Sequence, residues 1–568
     1  MRSSFTFLGL ALASAVSSSC SPEPETAPTP ASEETGTSNE GSSTATGWIE
    51  EAGARGLVHS TDSGSDGKFG FPEITVGGVG LFDADADGDI DVYLVDGGSV
   101  TEDLRGGRDR LFLNGGDARF TDHTDESGVR RSHYGMGAMA GDVNGDGAVD
   151  LYLSSVGPDQ WYLQDRPAHF QAASDSVVAD GWSTSTSFFD VDADGDLDLY
   201  VCRYIELRLE RICLDGTDRL EYCTPTSFDA VADVFLVNDG TGRFRDASAE
   251  YGITETQRAG LGVVAQDFDE DGDLDLYVAN DQTANNLWSN EEGERFVDRA
   301  LARGVALSGT GKAEASMGIV LADLDGRNGE DLFVTHVHDE SNTFYRSMGA
   351  GRGFSDDTGS TGTVRHSVPL TGFGVNGIDA DHDGDVDLLV ANGSVRRAAK
   401  PPVAPLLEPW PAYAQVDHYY ENVGGRFEAP VVLGETPFVS RGSAHGDLDG
   451  DGDQDWIVVP TDGPVRLFMN RVPKVGAWLG LELRDGPRSA EGARVRVSSG
   501  EFARSFTVRR DGSYLASNDP RWFGGLPQGV DGPFRVEVAW VGGESEVFEL
   551  VEASRLHRLA RGAGAKSD

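Results

Sequence analysis

A nine-residue pattern, acid-x-acid-x-acid-Gly-x-x-Asp, recurs along this chain with the chemistry of an oxygen cage for a hard cation. Clear copies run Asp83–Asp91 (DADADGDID), Asp142–Asp150 (DVNGDGAVD), Asp190–Asp198 (DVDADGDLD), Asp267–Asp275 (DFDEDGDLD), Asp379–Asp387 (DADHDGDVD) and Asp447–Asp455 (DLDGDGDQD). Carboxylates packed this closely raise one another's pKa, and a dication with oxygen ligands is the natural remedy. Positions one, three and five offer side-chain oxygens: Asp83, Asp85, Asp87; Asp142, Asn144, Asp146; Asp190, Asp192, Asp194; Asp267, Asp269, Asp271; Asp379, Asp381, Asp383; and Asp447, Asp449, Asp451. Glycine at position six permits the sharp turn. Position seven (Asp89, Ala148, Asp196, Asp273, Asp385, Asp453) offers its carbonyl, and position nine (Asp91, Asp150, Asp198, Asp275, Asp387, Asp455) closes the shell.

The opening resembles an EF-hand loop, but position twelve of the first copy is Leu94 and the exit is a strand. These are therefore calcium loops on β-hairpins. A lone Asp/Gly run reads equally well as a solvated turn; six copies at one spacing do not. A seventh, degenerate copy, DLDGRNGED, offers Asp323, Asp325 and Asp331 but has Arg327 where an oxygen ligand belongs and Gly329 at position seven. This loop is expected to be empty or weak, with Arg327 standing in for the cation. The expectation is six or seven structural Ca2+ ions.

The elements that hold these loops repeat with them. Each copy runs into an apolar strand, such as VYLV after Asp91 or WIVV after Asp455. Most units then show an aromatic strand, an Asn-x-Gly turn and a returning Phe, as in Leu111–Gly115 with Phe120, which is hairpin chemistry. Copies start 48 to 77 residues apart. Seven units of strand and turn fit an all-β, seven-bladed β-propeller over 47–473, a ring that leaves no long unpaired edge. Residues 48–82 are expected to complete the ring by pairing with the last blade. From Lys474 to about 562, alternating runs such as Ala493–Val497 and Phe534–Trp540 indicate a small C-terminal β-sandwich. Residues 563–568 read as a disordered tail.

Arg2 and the apolar run Phe5–Val16 have the shape of an export signal, ending at Ser17-Ser18-Ser19-Cys20. Small residues before a cysteine resemble a lipobox, with Ser17 where leucine is usual, so residues 1–20 are expected to be removed up to an acylated Cys20. Residues 21–46, almost free of apolar side chains, read as a flexible tether. Ser21 after the cysteine resembles outer-membrane sorting in a Gram-negative host; plain secretion or a periplasmic place is the alternative. Of Cys202, Cys213 and Cys223, the last two would close a short disulfide loop and leave Cys202 buried on a strand, although connectivity is not fixed by spacing. The chain has 95 acidic against 46 basic residues, a net charge of -49, which argues against nucleic acid and anionic membrane surfaces as partners.

These residues resemble the FG-GAP/VCBS repeats of integrin α-chain propellers. Together with Gly492–Val497, Gly512–Ser517, Asn518-Asp519-Pro520 and Phe523–Leu526, they make 46–562 similar to the cartilage-acidic-protein-like family with its C-terminal ASPIC/UnbV domain. That resemblance implies an integrin α-like extracellular calcium-binding propeller, with adhesion or matrix-type binding.

Other signals are weak. Ser308–Ala313 lacks the spacing of a phosphate loop. His336 and His338, read as alternate residues of one strand, share a face with Asp339 and Glu340 nearby, a possible transition-metal set. Met136 and Met317 read as packing residues beside tight backbone turns. Two functions follow. The first is a module whose rim loops, Cys202–Ala265 and Lys400–Pro411 foremost, hold an extracellular protein or glycan. The second is an extracellular polysaccharide hydrolase or lyase, which needs a carboxylate pair outside the calcium loops. The first accounts for nearly every clustered acid, and no catalytic residue is assigned.

Overall fold

The computed structural model describes residues 47–566 apart from 101–103, 174–175, 328 and 350. The residues expected to form an export signal and a tether, and Cys20, lie outside the described residues.

Seven sheets account for most of the chain, all antiparallel except that Ala516–Ser517 pairs parallel with the first strand of one of them. Their innermost strands are Val79–Phe82, Tyr134–Gly141, Ser183–Phe189, Gly260–Gln266, Ile319–Ala322, Gly372–Ile378 and Ser440–Gly446, here numbered as blades one to seven. Each inner strand touches the next in this order, and the seventh touches the first. Period-two alternation explains why one strand serves two neighbours. In blade four, Leu276 and Val278 enter the core shared with blade three, while Tyr277 and Ala279 enter the core shared with blade five.

Trp48–Glu50 pairs antiparallel with Arg466–Asn470 as the outer strand of blade seven, so the start of the ring is tied to its end. Close blade approach explains the glycines of the inner strands. A Cβ on Gly262 would lie 2.2 Å from the Met317 carbonyl oxygen, and one on Gly318 2.0 Å from that of Phe373. Met136 lies within an extended inner strand and Met317 two residues before another; both are buried in the core, and Met317 presents its carbonyl to the neighbouring glycine.

Residues from Ala477 onward form two sheets around a shared core of Leu479, Leu481, Val495, Val497, Val536 and Val538. Ala565–Lys566, expected in a disordered tail, instead pair with Val547 and Glu546, which gives that edge strand a partner for its backbone groups.

Candidate functional site

The aspartate loops join the first and second strands of every blade, and one bonding scheme recurs in them. The first carboxylate accepts the N–H of the position-six glycine: Gly88 to Asp83 at 3.0 Å, Gly147 to Asp142 at 2.8 Å, Gly384 to Asp379 at 3.0 Å. The ninth is a buried strap. Asp198 accepts the Val191 N–H at 3.1 Å on Oδ2 and the Asn238 N–H at 2.9 Å on Oδ1, thereby joining loop to third strand. The same pair of bonds recurs at Asp91 and Asp275. Burial raises all three of these carboxyls to about 8.

The residues brought together fit a hard dication. Carboxylate oxygens of Asp190, Asp192 and Asp194 lie within 4.8 Å of one another, as do those of Asp267, Asp269 and Asp271, those of Asp379, Asp381 and Asp383, and those of Asp83, Asp85 and Asp91. Buried Oδ1 atoms of Asp190, Asp269, Asp379, Asp447 and Asp449 have no hydrogen-bond partner, an arrangement that leaves acceptors waiting for a cation. The fifth loop differs. Asp323, Asp325 and Asp331 converge as elsewhere, but position five is Arg327 and offers no side-chain oxygen; Arg346 places its Nε 2.8 Å from Asp325 Oδ2 and its Nη1 2.6 Å from Asp357, as Arg303 and Arg494 pair with Asp269 and Asp267 in the fourth loop and Arg471 with Asp449 and Asp451 in the seventh. Arg327, expected to stand in for the cation, is exposed and joins the loop through its backbone N–H. Arg346 sits fifteen residues beyond the loop's last aspartate, outside any motif.

The third strand of most blades ends in an amide that latches onto the preceding blade. Asn238 Nδ2 donates to Val143 O of blade two at 2.7 Å and to Leu197 O at 3.1 Å. Asn290 reaches Val191, Asn422 reaches Leu324, Asn470 reaches Ala380 and Asn114 reaches Leu448, with Gln164 reaching Ala84 in the same way. Sequence reasoning took these Asn residues for turn formers; their side chains tie the ring. Blade five carries Ser347 there instead.

The C-terminal domain closes the axis of the ring. Its segment Asp511–Asp519 is buried and bonds to the inner strand of every blade. Leu515 O accepts from Val79, Ser517 Oγ from Ala140, and Asp511 Oδ2 from both Ser187 and Ala265. Ser513 N donates to Ile319 O at 2.7 Å, its Oγ accepts from Val375, and Asn518 accepts from His445. Arg494 and Arg504 of the same domain pair with Asp267 at 2.8 Å and Asp385 at 3.3 Å, on the side of the aspartate loops.

At the other end, the two loops expected to recognise a partner meet. Cys213 and Cys223 are disulfide-bonded, and Cys202 is buried on its strand. Within the Cys202–Ala265 loop, Glu221 accepts from Tyr413 and from the Arg397 N–H, which flank Lys400–Pro411, while Tyr222 stacks on Trp410 of that loop at 6.0 Å. Beneath them is a cavity of about 630 Å³. His336 and His338 lie beyond their strand, which ends at Val334, and they part company. His336 is buried against Ser316 at 3.2 Å, whereas His338 is half-buried beside Thr371.

Residues 83–153, 142–201 and 267–334 match the FG-GAP-like repeat, and 484–566 match the ASPIC and UnbV family. Cartilage acidic protein 1 of Homo sapiens is 23% identical over 354 residues, covering 56% of this chain and 47% of its own, so the chain spans about half the length of that relative. Among solved structures, an Agrocybe aegerita lectin that recognises non-reducing terminal N-acetylglucosamine has a TM-score of 0.39 at 13% identity, covering 68% of this chain and 86% of its own. The exotype rhamnogalacturonan lyase YesX has 0.37 at 12%, covering 70% and 73%. Likeness at that level has no bearing on chemistry.

Proposed function

Because the chain is an FG-GAP-like repeat protein ending in an ASPIC and UnbV domain, we propose that it is an exported, calcium-stabilised binding module. On this reading it holds an extracellular protein or glycan, and acylated Cys20 ties it to a membrane surface. The observation that carries the proposal is the set of buried carboxylate oxygens in the aspartate loops that have no hydrogen-bond partner. Bound calcium would neutralise them and brace the first hairpin of each blade. The chain's own residues already do the rest: the position-nine carboxylates tie loop to strand, and the amides tie blade to blade. The disulfide and the repeats agree with an extracellular place.

FG-GAP-like and ASPIC/UnbV domains are not typical catalytic families. A hydrolase or lyase would need a pair of free acids, and two of the three around the cavity are held: Asp215 binds Thr217 and Arg219, and Glu221 binds Tyr413 and Arg397, which leaves Asp281, bonded to Tyr204 on one oxygen, without a second carboxylate to act with. Metal analysis of dialysed 47–568, with thermal unfolding in calcium and in chelator, tests the reading. Several bound calcium ions per chain and a large fall in Tm with chelator are expected. Metal-free protein whose Tm ignores chelator would reject it.

A further inference from the structure

The cavity beneath the disulfide loop has features that calcium loading does not use. Its floor is the end of the plugged axis: Phe71, Tyr204, Leu261, Met317 and Phe373 border it, and Tyr514 of the plug packs under Phe373 with ring centroids 5.0 Å apart and donates its hydroxyl to Thr75 O at 3.0 Å. The pocket is therefore blind. Its size falls within the roughly 300–1,000 Å³ of small-ligand cavities.

Its charge runs against that of the chain. In a protein of net charge -49, Arg211, Arg219, Arg396 and Arg397 all border this one cavity. Two are occupied: Arg219 pairs with Asp215 at 2.7 Å, and Arg397 lies against Glu221 and over the Phe69 and Tyr413 rings. Arg211 and Arg396 have no ion-pair partner among the described residues. A single acid of the deep wall completes the set. Asp281, 7% exposed, accepts from Tyr204 on Oδ2 at 2.6 Å, while its Oδ1 is buried without a partner.

We propose that this cavity binds an acidic saccharide, a sugar unit bearing a carboxylate, with Arg211 and Arg396 on the carboxylate, Asp281 accepting from a hydroxyl and the apolar floor that Phe71, Tyr204 and Leu261 border lying beneath the sugar. Each part answers one feature of the pocket. Guanidinium groups suit a planar carboxylate, and an apolar floor beneath a polar, charged wall suits a ring that is apolar on its faces and polar at its rim. The disulfide holds the loop carrying Arg211, so its ordering entropy is largely spent before binding. This inference rests on the binding-module reading and names its ligand class.

Calorimetric titration of calcium-loaded 47–568 with trigalacturonate, with the neutral galactose trisaccharide and with an acidic peptide tests it. Binding of trigalacturonate alone is expected, weakened about tenfold in Arg396→Ala and more in Arg211→Ala/Arg396→Ala, the loss expected of removed charge-assisted contacts. Arg396→Lys should keep part of the affinity. The calcium-dependent Tm of each variant must match the parent, which separates lost contacts from lost folding. Equal binding of the neutral sugar, binding of the peptide instead, or variants that bind as the parent does would overturn the assignment. Cleavage of trigalacturonate would overturn it in favour of the enzyme. No sugar binding in a protein whose Tm still answers to calcium rejects the pocket and leaves the calcium module standing; loss of calcium dependence rejects the module itself.

Discussion

Replacing Asn238 with alanine should separate blades two and three more than it disturbs the turn that Asn238 begins. The side chain is 6% exposed and makes four hydrogen bonds. Nδ2 donates to Val143 O at 2.7 Å and Leu197 O at 3.1 Å, and Oδ1 accepts from Gly240 at 3.2 Å and Gly242 at 3.1 Å. The Gly240 amide is half-buried, so water replaces its lost acceptor at little cost, but the Gly242 amide is buried. The two carbonyls are interior as well, and each of these three groups loses its partner at about 1–2 kcal/mol, giving about 4 kcal/mol for the substitution. With an unfolding entropy near 2.1 cal/mol/K per residue over a ring and sandwich of this size, that is about 4 °C in Tm if the assembly melts as one unit. Asn238→Asp should cost more, because it turns a donor into an acceptor facing two carbonyls beside an acidic loop. Calorimetry gives the shift, and hydrogen exchange locates it: the Val143 and Leu197 neighbourhoods should lose protection while blade five does not. A Tm within 0.5 °C of the parent, or exchange that rises only at Gly240–Gly242, would refute the latch.

Further expectations concern charge and the axis. In chelator, Asp91, Asp198 and Asp275 keep folded-state pKa values of about 8 against an unfolded value near 3.9, so protonation favours the folded state. Their contribution is present in full below about pH 4 and is lost as pH rises to about 8, so the Tm of metal-free protein should fall between pH 5 and 8. Calcium requires the ionised form and should flatten that slope, as a pH series of melting curves will show. Arg346→Ser together with Arg327→Asp should raise calcium stoichiometry by one, because Asp325 is freed and the missing position-five oxygen is supplied; an unchanged count by metal analysis would show that this loop is no site even with its ligand set complete. Tyr514→Ala removes a fully buried ring from the plug and should cost about 3–5 kcal/mol, with limited proteolysis newly cutting the connection near residues 471–476. Unchanged protease resistance would show that the plug does not hold the domain.

The repeats were legible because their demands are local: Asp at alternate positions, glycine at six and an apolar exit strand specify a hairpin wherever they occur. The tie between Trp48–Glu50 and the last blade could be expected because a ring must end somewhere. Contacts across long separations were not legible. Arg346 acts on a loop it does not belong to, and the histidines lost their shared face because the strand ended at Val334. Asn238, Asn290 and Asn422 looked complete as turn residues, since an asparagine at a turn needs no further reason, although their amides act on the preceding blade.

The plug follows from the geometry of the inner strands. Seven strands with glycine where neighbours meet approach closely, and their edges leave donors such as Val79 N, Ala265 N and Val375 N facing the axis. Left to water in a narrow bore, these groups would be costly to satisfy one by one. The segment Asp511–Asp519 meets them with carboxylate, hydroxyl, amide and backbone groups of the right reach, which between them serve every blade. A ring so filled has no through-channel, and its free end is the mouth that carries the arginines. The two domains are thereby joined through the axis: the sandwich supplies the filling, it docks on the side of the aspartate loops, and the opposite mouth stays open.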